Sequence, residues 1–175
     1  KNIEKNPRIN PEKYDSLTLK TEEFTLKAHL QYFVPIKGSL ILKIGTQNQY
    51  LINQNLFENE FYRIGGLFTL RGFDEESIYA SSYSIGTIEP RFLLEKNSFL
   101  YLFFDAAYYQ NKTKTREIKG YPYSFGSGIS FETKSGIFTF SYALGRSTFY
   151  ENEVLKDNGF SLRSGKIHFG FINYF

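Results

Sequence analysis

Hydrophobic and polar side chains alternate one by one along much of this chain. Between Gly136 and Gly145, Phe138, Phe140, Tyr142 and Leu144 fall on one side, and Thr139, Ser141, Ala143 and Gly145 on the other. Just before them, Tyr121, Tyr123, Phe125, Ile129 and Phe131 alternate with Ser124, Gly126, Gly128, Ser130 and Glu132, and Lys134-Ser135-Gly136 supplies a tight turn. A period of two belongs to a β-strand, whose successive side chains point to opposite faces. Nearer the start, Leu26, Ala28, Leu30, Tyr32 and Val34 oppose Lys27, His29 and Gln31; Pro35 and Gly38 end that strand, and Leu40, Leu42 and Ile44 carry the next. Two more strands are predicted over Ser82–Glu95 and Ser98–Tyr109, a last one over Gly165–Phe175, and a short one over Ser16–Lys20, giving about eight in all.

The connections alternate too. Ile36-Lys37-Gly38, Glu95 to Asn97 and Lys134-Ser135 are tight, whereas Tyr50 to Ala80, Gln110 to Lys119 and Arg146 to Ser164 are long. Short periplasmic turns and long outer loops are the habit of outer-membrane barrels, and this arrangement puts both chain ends on the periplasmic side. A soluble β-sandwich, the competing fold, more often has evenly short turns. The predicted fold is all-β: a transmembrane antiparallel β-barrel of one domain over residues 1–175, with an irregular lead-in at 1–15 that contains Pro7 and Pro11 and a long loop at 51–80.

Composition narrows this further. Phe (19) and Tyr (14) are abundant, whereas Trp, Met and Cys are absent. The longest apolar run, Phe99 to Phe104, is far short of the ~18 residues of a spanning helix. Mean hydropathy is negative. A membrane protein without such helices must satisfy its backbone in a closed barrel. Without Cys there is neither a disulfide nor a thiolate metal site. A net charge of +3 without a basic stripe gives no reason to expect nucleic acid. The start at Lys1, without Met or a signal-peptide pattern, is that of a processed protein or a piece of a longer one.

One long connection carries Phe61-Tyr62-Arg63-Ile64-Gly65-Gly66-Leu67-Phe68-Thr69-Leu70-Arg71-Gly72-Phe73. Here the chain resembles the BamA/TamA superfamily of outer-membrane barrels, the C-terminal surface-antigen-type barrel domain, whose pattern is FY-x-x-GG followed by [VL]-R-G-F before the fifth strand from the end. Five candidate strands follow Phe73. The resemblance implies that the loop folds into the barrel lumen and that Arg71 meets acids on the next two strands. Gly86-Thr87-Ile88-Glu89 matches the family's G-x-x-E, and Phe103-Phe104-Asp105-Ala106-Ala107 its F-x-D-x-G, except that Ala107 replaces the last Gly. A charge on a spanning strand belongs in the lumen in any case, so Glu89 and Asp105 are the expected partners of Arg71. The alternating aromatic positions Phe169, Phe171 and Phe175 are similar to the C-terminal β-signal by which assembly machinery recognises barrels, with Asn173 interrupting the apolar face.

The resemblance implies a part in inserting or translocating proteins at the bacterial outer membrane. Its partners would be outer-membrane lipid, including lipopolysaccharide, together with client barrel proteins or other assembly-complex subunits. Well-known members carry POTRA modules before a barrel of about sixteen strands. This chain is expected to be either the C-terminal half of such a barrel or a complete short barrel without those modules. A half barrel has two exposed edges, which invite pairing with a second copy. The alternative function is a passive anchor or structural barrel, within a larger complex or behind an upstream patatin-like lipase domain; a diffusion pore is less suited to a lumen filled by a loop. His29 and His168 both fall on the lumen side as polar lining, and no catalytic, Walker or metal-binding pattern is present, so no enzyme activity, cofactor or metal is expected.

Overall fold

The structure, a computed structural model, describes residues 24–52, 58–113, 116–151, 154–159 and 164–173. It is almost entirely antiparallel sheet. The strands are β1 (Phe24–Lys37), β2 (Leu40–Ile52), β3 (Tyr62–Ile64), β4 (Ile78–Ala80), β5 (Ser82–Glu95), β6 (Ser98–Lys112), β7 (Glu117–Gly120), β8 (Tyr123–Thr133), β9 (Gly136–Glu151), β10 (Val154–Asn158) and β11 (Lys166–Asn173). No helix among the described residues is long and apolar enough to cross a membrane, which says nothing against crossing by strands.

The main sheet runs β1-β2-β5-β6, then β7 with β8, then β9, then β10 with β11. Both β7 and β8 lie between β6 and β9 in one unbroken register, with Tyr109 opposite Gly120 and Ala106 opposite Tyr123. They form one strand position interrupted at Pro122, where Ala107 donates to the Pro122 carbonyl at 2.8 Å and Tyr121 donates to Thr148 at 2.8 Å. On the far side of β9, Asn158 pairs with Ser147 and Lys166 with Ala143, so β10 and β11 share the last position with a change of register between them. This gives seven strand positions in the described residues. The predicted strand Ser16–Lys20, the lead-in at 1–15 and Phe175 lie outside those residues.

Two of the long connections are shorter than the alternation predicts. β6 runs on to Lys112 and turns into β7, and β9 runs on to Glu151 and pairs with β10. These extensions are held by charge: Arg116 and Lys156 both meet Glu151, and Arg146 meets Asp157. Cross-strand ion pairs hold a hairpin in water without any apolar periodicity. The connection from β2 to β5 also contains structure, because β3 and β4 pair into a small ribbon.

The sheet is apolar on the outside. Leu30, Ile44, Ile88, Leu102, Phe125 and Phe140 are all exposed there. Aromatic clusters rim this face, with Phe131, Phe138 and Phe171 near the tight turns and Tyr108, Tyr121 and Tyr150 towards the other end. From Phe131 to Tyr121 the chain rises about 33 Å along the strand, or about 25 Å at a tilt of ~40°, which is the height of a barrel's apolar band between its aromatic girdles. The buried core is on the inner face. There Ile64, Leu70 and Ala80 of the β2–β5 connection pack on Tyr83, Ile85, Tyr109 and Ile118.

Candidate functional site

The loop between β3 and β4 turns sharply, and the turn depends on glycine. Gly65 and Gly66 have φ of 120° and 96°, and Gly72 has 85°, a region that side chains with a Cβ rarely occupy. The Thr69 hydroxyl closes the first bend: it accepts from the Gly65 amide at 2.9 Å and donates to the Gly65 carbonyl at 2.8 Å. The Gly66 amide donates to the Leu70 carbonyl at 3.0 Å. Leu70 is thereby driven into the inner core, and the next residue, Arg71, is delivered to the wall.

Arg71 is 7% exposed and meets both candidate acids. Its Nε donates to Asp105 Oδ2 at 2.7 Å and its Nη2 to Asp105 Oδ1 at 2.8 Å, a two-pronged contact; Nη1 donates to Glu89 Oε2 at 2.5 Å. The guanidinium carbon lies 3.6 Å from the centre of the Phe103 ring. Burial alone disfavours the charge on Arg71, but the bonds and charge of Asp105, and then of Glu89, outweigh it and raise its pKa above the ordinary arginine value. Asp105 also accepts from Thr87 Oγ1 at 2.8 Å. Glu89 accepts from Arg91 Nε at 2.8 Å and has Lys43 Nζ at 3.9 Å. The cluster therefore holds Arg71, Arg91 and Lys43 against two carboxylates.

The wall is shaped to admit the loop. Ser124, Gly126, Gly128, Ala143 and Gly145 face inward on β8 and β9, and a Cβ placed on Gly72 would come within 2.9 Å of Ser124 Cβ and 3.0 Å of the Gly145 amide. Phe73 packs beside the core cluster. On the last strand, His168 Nε2 accepts from the Gly72 amide at 2.9 Å, and Lys166 Nζ lies 2.7 Å from Asp74 Oδ1.

The loop residues Gly65, Gly66, Leu70, Arg71, Gly72 and Phe73 are thus brought together with Glu89 and Asp105. Phe169 and Phe171 are elsewhere, on the outer face of β11, with their rings tilted against those of Phe140 and Phe138 at 4.8 and 4.5 Å between centres. His29 lies on the inner side and lines a groove of about 410 Å³ between β1, β2 and the loop, together with Gln31, Lys43 and Thr69. Sequence reasoning missed Lys43, Thr87, Arg91, Phe103 and Lys166, and it gave His168 no partner. Parity was the available signal for three of them, because Thr87 and Arg91 flank Glu89 at two-residue spacing and Phe103 precedes Asp105 by two. Among the described residues there is no grouping of acids and histidines suited to a metal ion.

The family model of the Omp85 superfamily domain matches residues 16–168. The chain belongs to the Omp85 superfamily. That match spans the inner knot and every strand of the main sheet except the end of β11. Omp85 proteins are outer-membrane β-barrels of protein insertion and translocation rather than enzymes, and the antiparallel sheet described above is of the Omp85 type. No curated protein and no solved structure gives a significant match.

Proposed function

We propose that this Omp85 chain is an integral barrel of the bacterial outer membrane that takes part, in the BamA/TamA manner, in inserting or translocating other outer-membrane proteins. The observation that carries this reading is the Arg71 knot with Asp105 and Glu89, which ties a glycine-turned loop to the inner wall. A buried charge with three charge-assisted bonds costs much to break, so the loop is held as a fixed part of the barrel.

Two further features support the reading. Among the described residues β1 pairs only with β2, and the last strand position pairs only with β9, so each lies at an edge of the described sheet that a client strand could extend. Phe169 and Phe171 lie on the outer face of that last strand, where they serve membrane insertion and, with Phe175, the β-signal. The same edges suit a second copy of the chain or a further assembly subunit, and the apolar exterior suits lipid and the acyl chains of lipopolysaccharide.

The test is Arg71→Ala in cells that depend on the protein. Loss of outer-membrane proteins and increased detergent sensitivity, with the barrel itself still inserted and heat-modifiable on gels, are expected. Normal outer-membrane protein levels in those cells would leave a passive anchor as the better description.

A further inference from the structure

The loop touches more than the two acid-bearing strands. It also reaches β11: the Gly72 backbone amide donates to His168 Nε2 at 2.9 Å, the Asp74 side chain pairs with Lys166, and Leu67 sits so close over Gly170 that a Cβ there would collide with its methyl group. These three contacts fall on alternate residues of one strand, 166, 168 and 170, and therefore on one face. They come from loop residues on both sides of Arg71. β11 otherwise holds to the sheet only through β9 among the described residues.

We propose that His168 and Lys166 are positioning residues through which the loop latches the last strand, so that the seating of Arg71 on β5 and β6 governs how firmly β11 is held at the edge of the sheet. The inference deepens the assembly reading, and rests on it only for its biological use. The latch itself is a physical coupling between residues 65–74 and residues 166–173.

His168 has a specific role in this. An amide donates to its Nε2, so that nitrogen must be unprotonated, with the neutral ring's proton on Nδ1. Lysine or a protonated imidazole has no acceptor to offer there, whereas the side-chain oxygen of glutamine reaches a similar position. The charged groups that face the ring are Arg71, Asp74 and Glu75 from the loop and Lys166 from its own strand. Adding a proton to His168 would therefore cost the Gly72 bond and bring a second positive charge towards Arg71.

The experiment is hydrogen–deuterium exchange on the purified protein in detergent, comparing the parent with His168→Ala, His168→Gln, Arg71→Ala and Lys166→Ala. With His168→Ala, exchange in 166–173 should quicken about tenfold, the scale of one lost buried hydrogen bond, while β6 and β8 stay protected. His168→Gln should restore protection, and Lys166→Ala should give a smaller change. Arg71→Ala should release 166–173 as well as the loop. On acidification the parent should lose protection in 166–173 and His168→Gln should not. Unchanged exchange of 166–173 in either His168→Ala or Arg71→Ala overturns the latch. So does an equal loss of protection over all strands, which would mean general unfolding. If the coupling is present yet Arg71→Ala cells keep normal outer-membrane protein levels, the latch stands and the assembly reading falls.

Discussion

The wall formed by β5, β6, β8 and β9 and the hairpin of β1 and β2 are built from the same alternating pattern, yet they differ in what covers their inner faces. On the first, the loop lies against the sheet, and Ile85, Phe103, Asp105, Ser124 and Ala143 are all buried. On the second, the inward residues Lys27, His29 and Gln31 of β1 remain exposed, as do outward residues such as Leu30. The lesson is that a strand's alternation says which face is apolar but not which face is packed. In this fold a broad apolar face is outside, and the packed core lies inside, where the loop meets Tyr83, Ile85, Tyr109 and Ile118 of the wall beside the buried charges of the knot. The burial that fixes the structure thus depends on Arg71 and its partners more than on the long apolar stripe.

That contrast can be broken most severely at the knot. Asp105→Ala removes two bonds to Arg71 and leaves the guanidinium buried with only Glu89. A loss of roughly 3–5 kcal/mol is expected in the stability of the seated loop, read as protease cleavage within 61–80 of the folded barrel. Second comes the outer face. Leu102 is 61% exposed, and Leu102→Arg should cost about 2–4 kcal/mol in lipid at the bilayer midplane, seen as a lower urea midpoint in liposomes. A fully wetted surface would tolerate it, so an unchanged midpoint would contradict the membrane face.

Third is the close approach of loop and wall. Gly72→Ala adds a methyl group at φ 85° against Ser124 and the β9 backbone. About 1–3 kcal/mol should be lost, again in loop protection rather than in the β1–β2 hairpin. The smallest effect belongs to the open wall. Gln31 donates to His29 at 2.9 Å in an exposed pair, and Gln31→Ala should change the urea midpoint by no more than the equivalent of about 0.5 kcal/mol. A large effect there would mean that the inner face of β1 is as packed as that of β6.

Reading the sequence located β5 over its full range, because a long loop precedes Ser82 and the tight polar turn Glu95 to Asn97 ends it. It stopped β6 and β9 early. Asn111 and Lys112 are polar, and beyond Arg146 the apolar residues Phe149 and Tyr150 stand side by side rather than alternating, so these extensions are secured by backbone ladders and ion pairs. In the site, Glu89 and Asp105 could be found because a carboxylate on a spanning strand has few places to go. Lys166 and Thr87 could not be matched to partners, since surface lysines and strand threonines are common and need none.

What the sequence determined alone is whatever depends on neighbours along the chain: the period of two that makes strands, the apolar outer face, and the glycines that permit the turns at 65, 66 and 72. Only the tertiary structure decided pairs such as Gly72 with His168 ninety-six positions later, or Asp74 with Lys166. The reason is geometric. Strand register and loop path bring these groups together from separate segments, and no local periodicity encodes the distance between two side chains that share only a lumen.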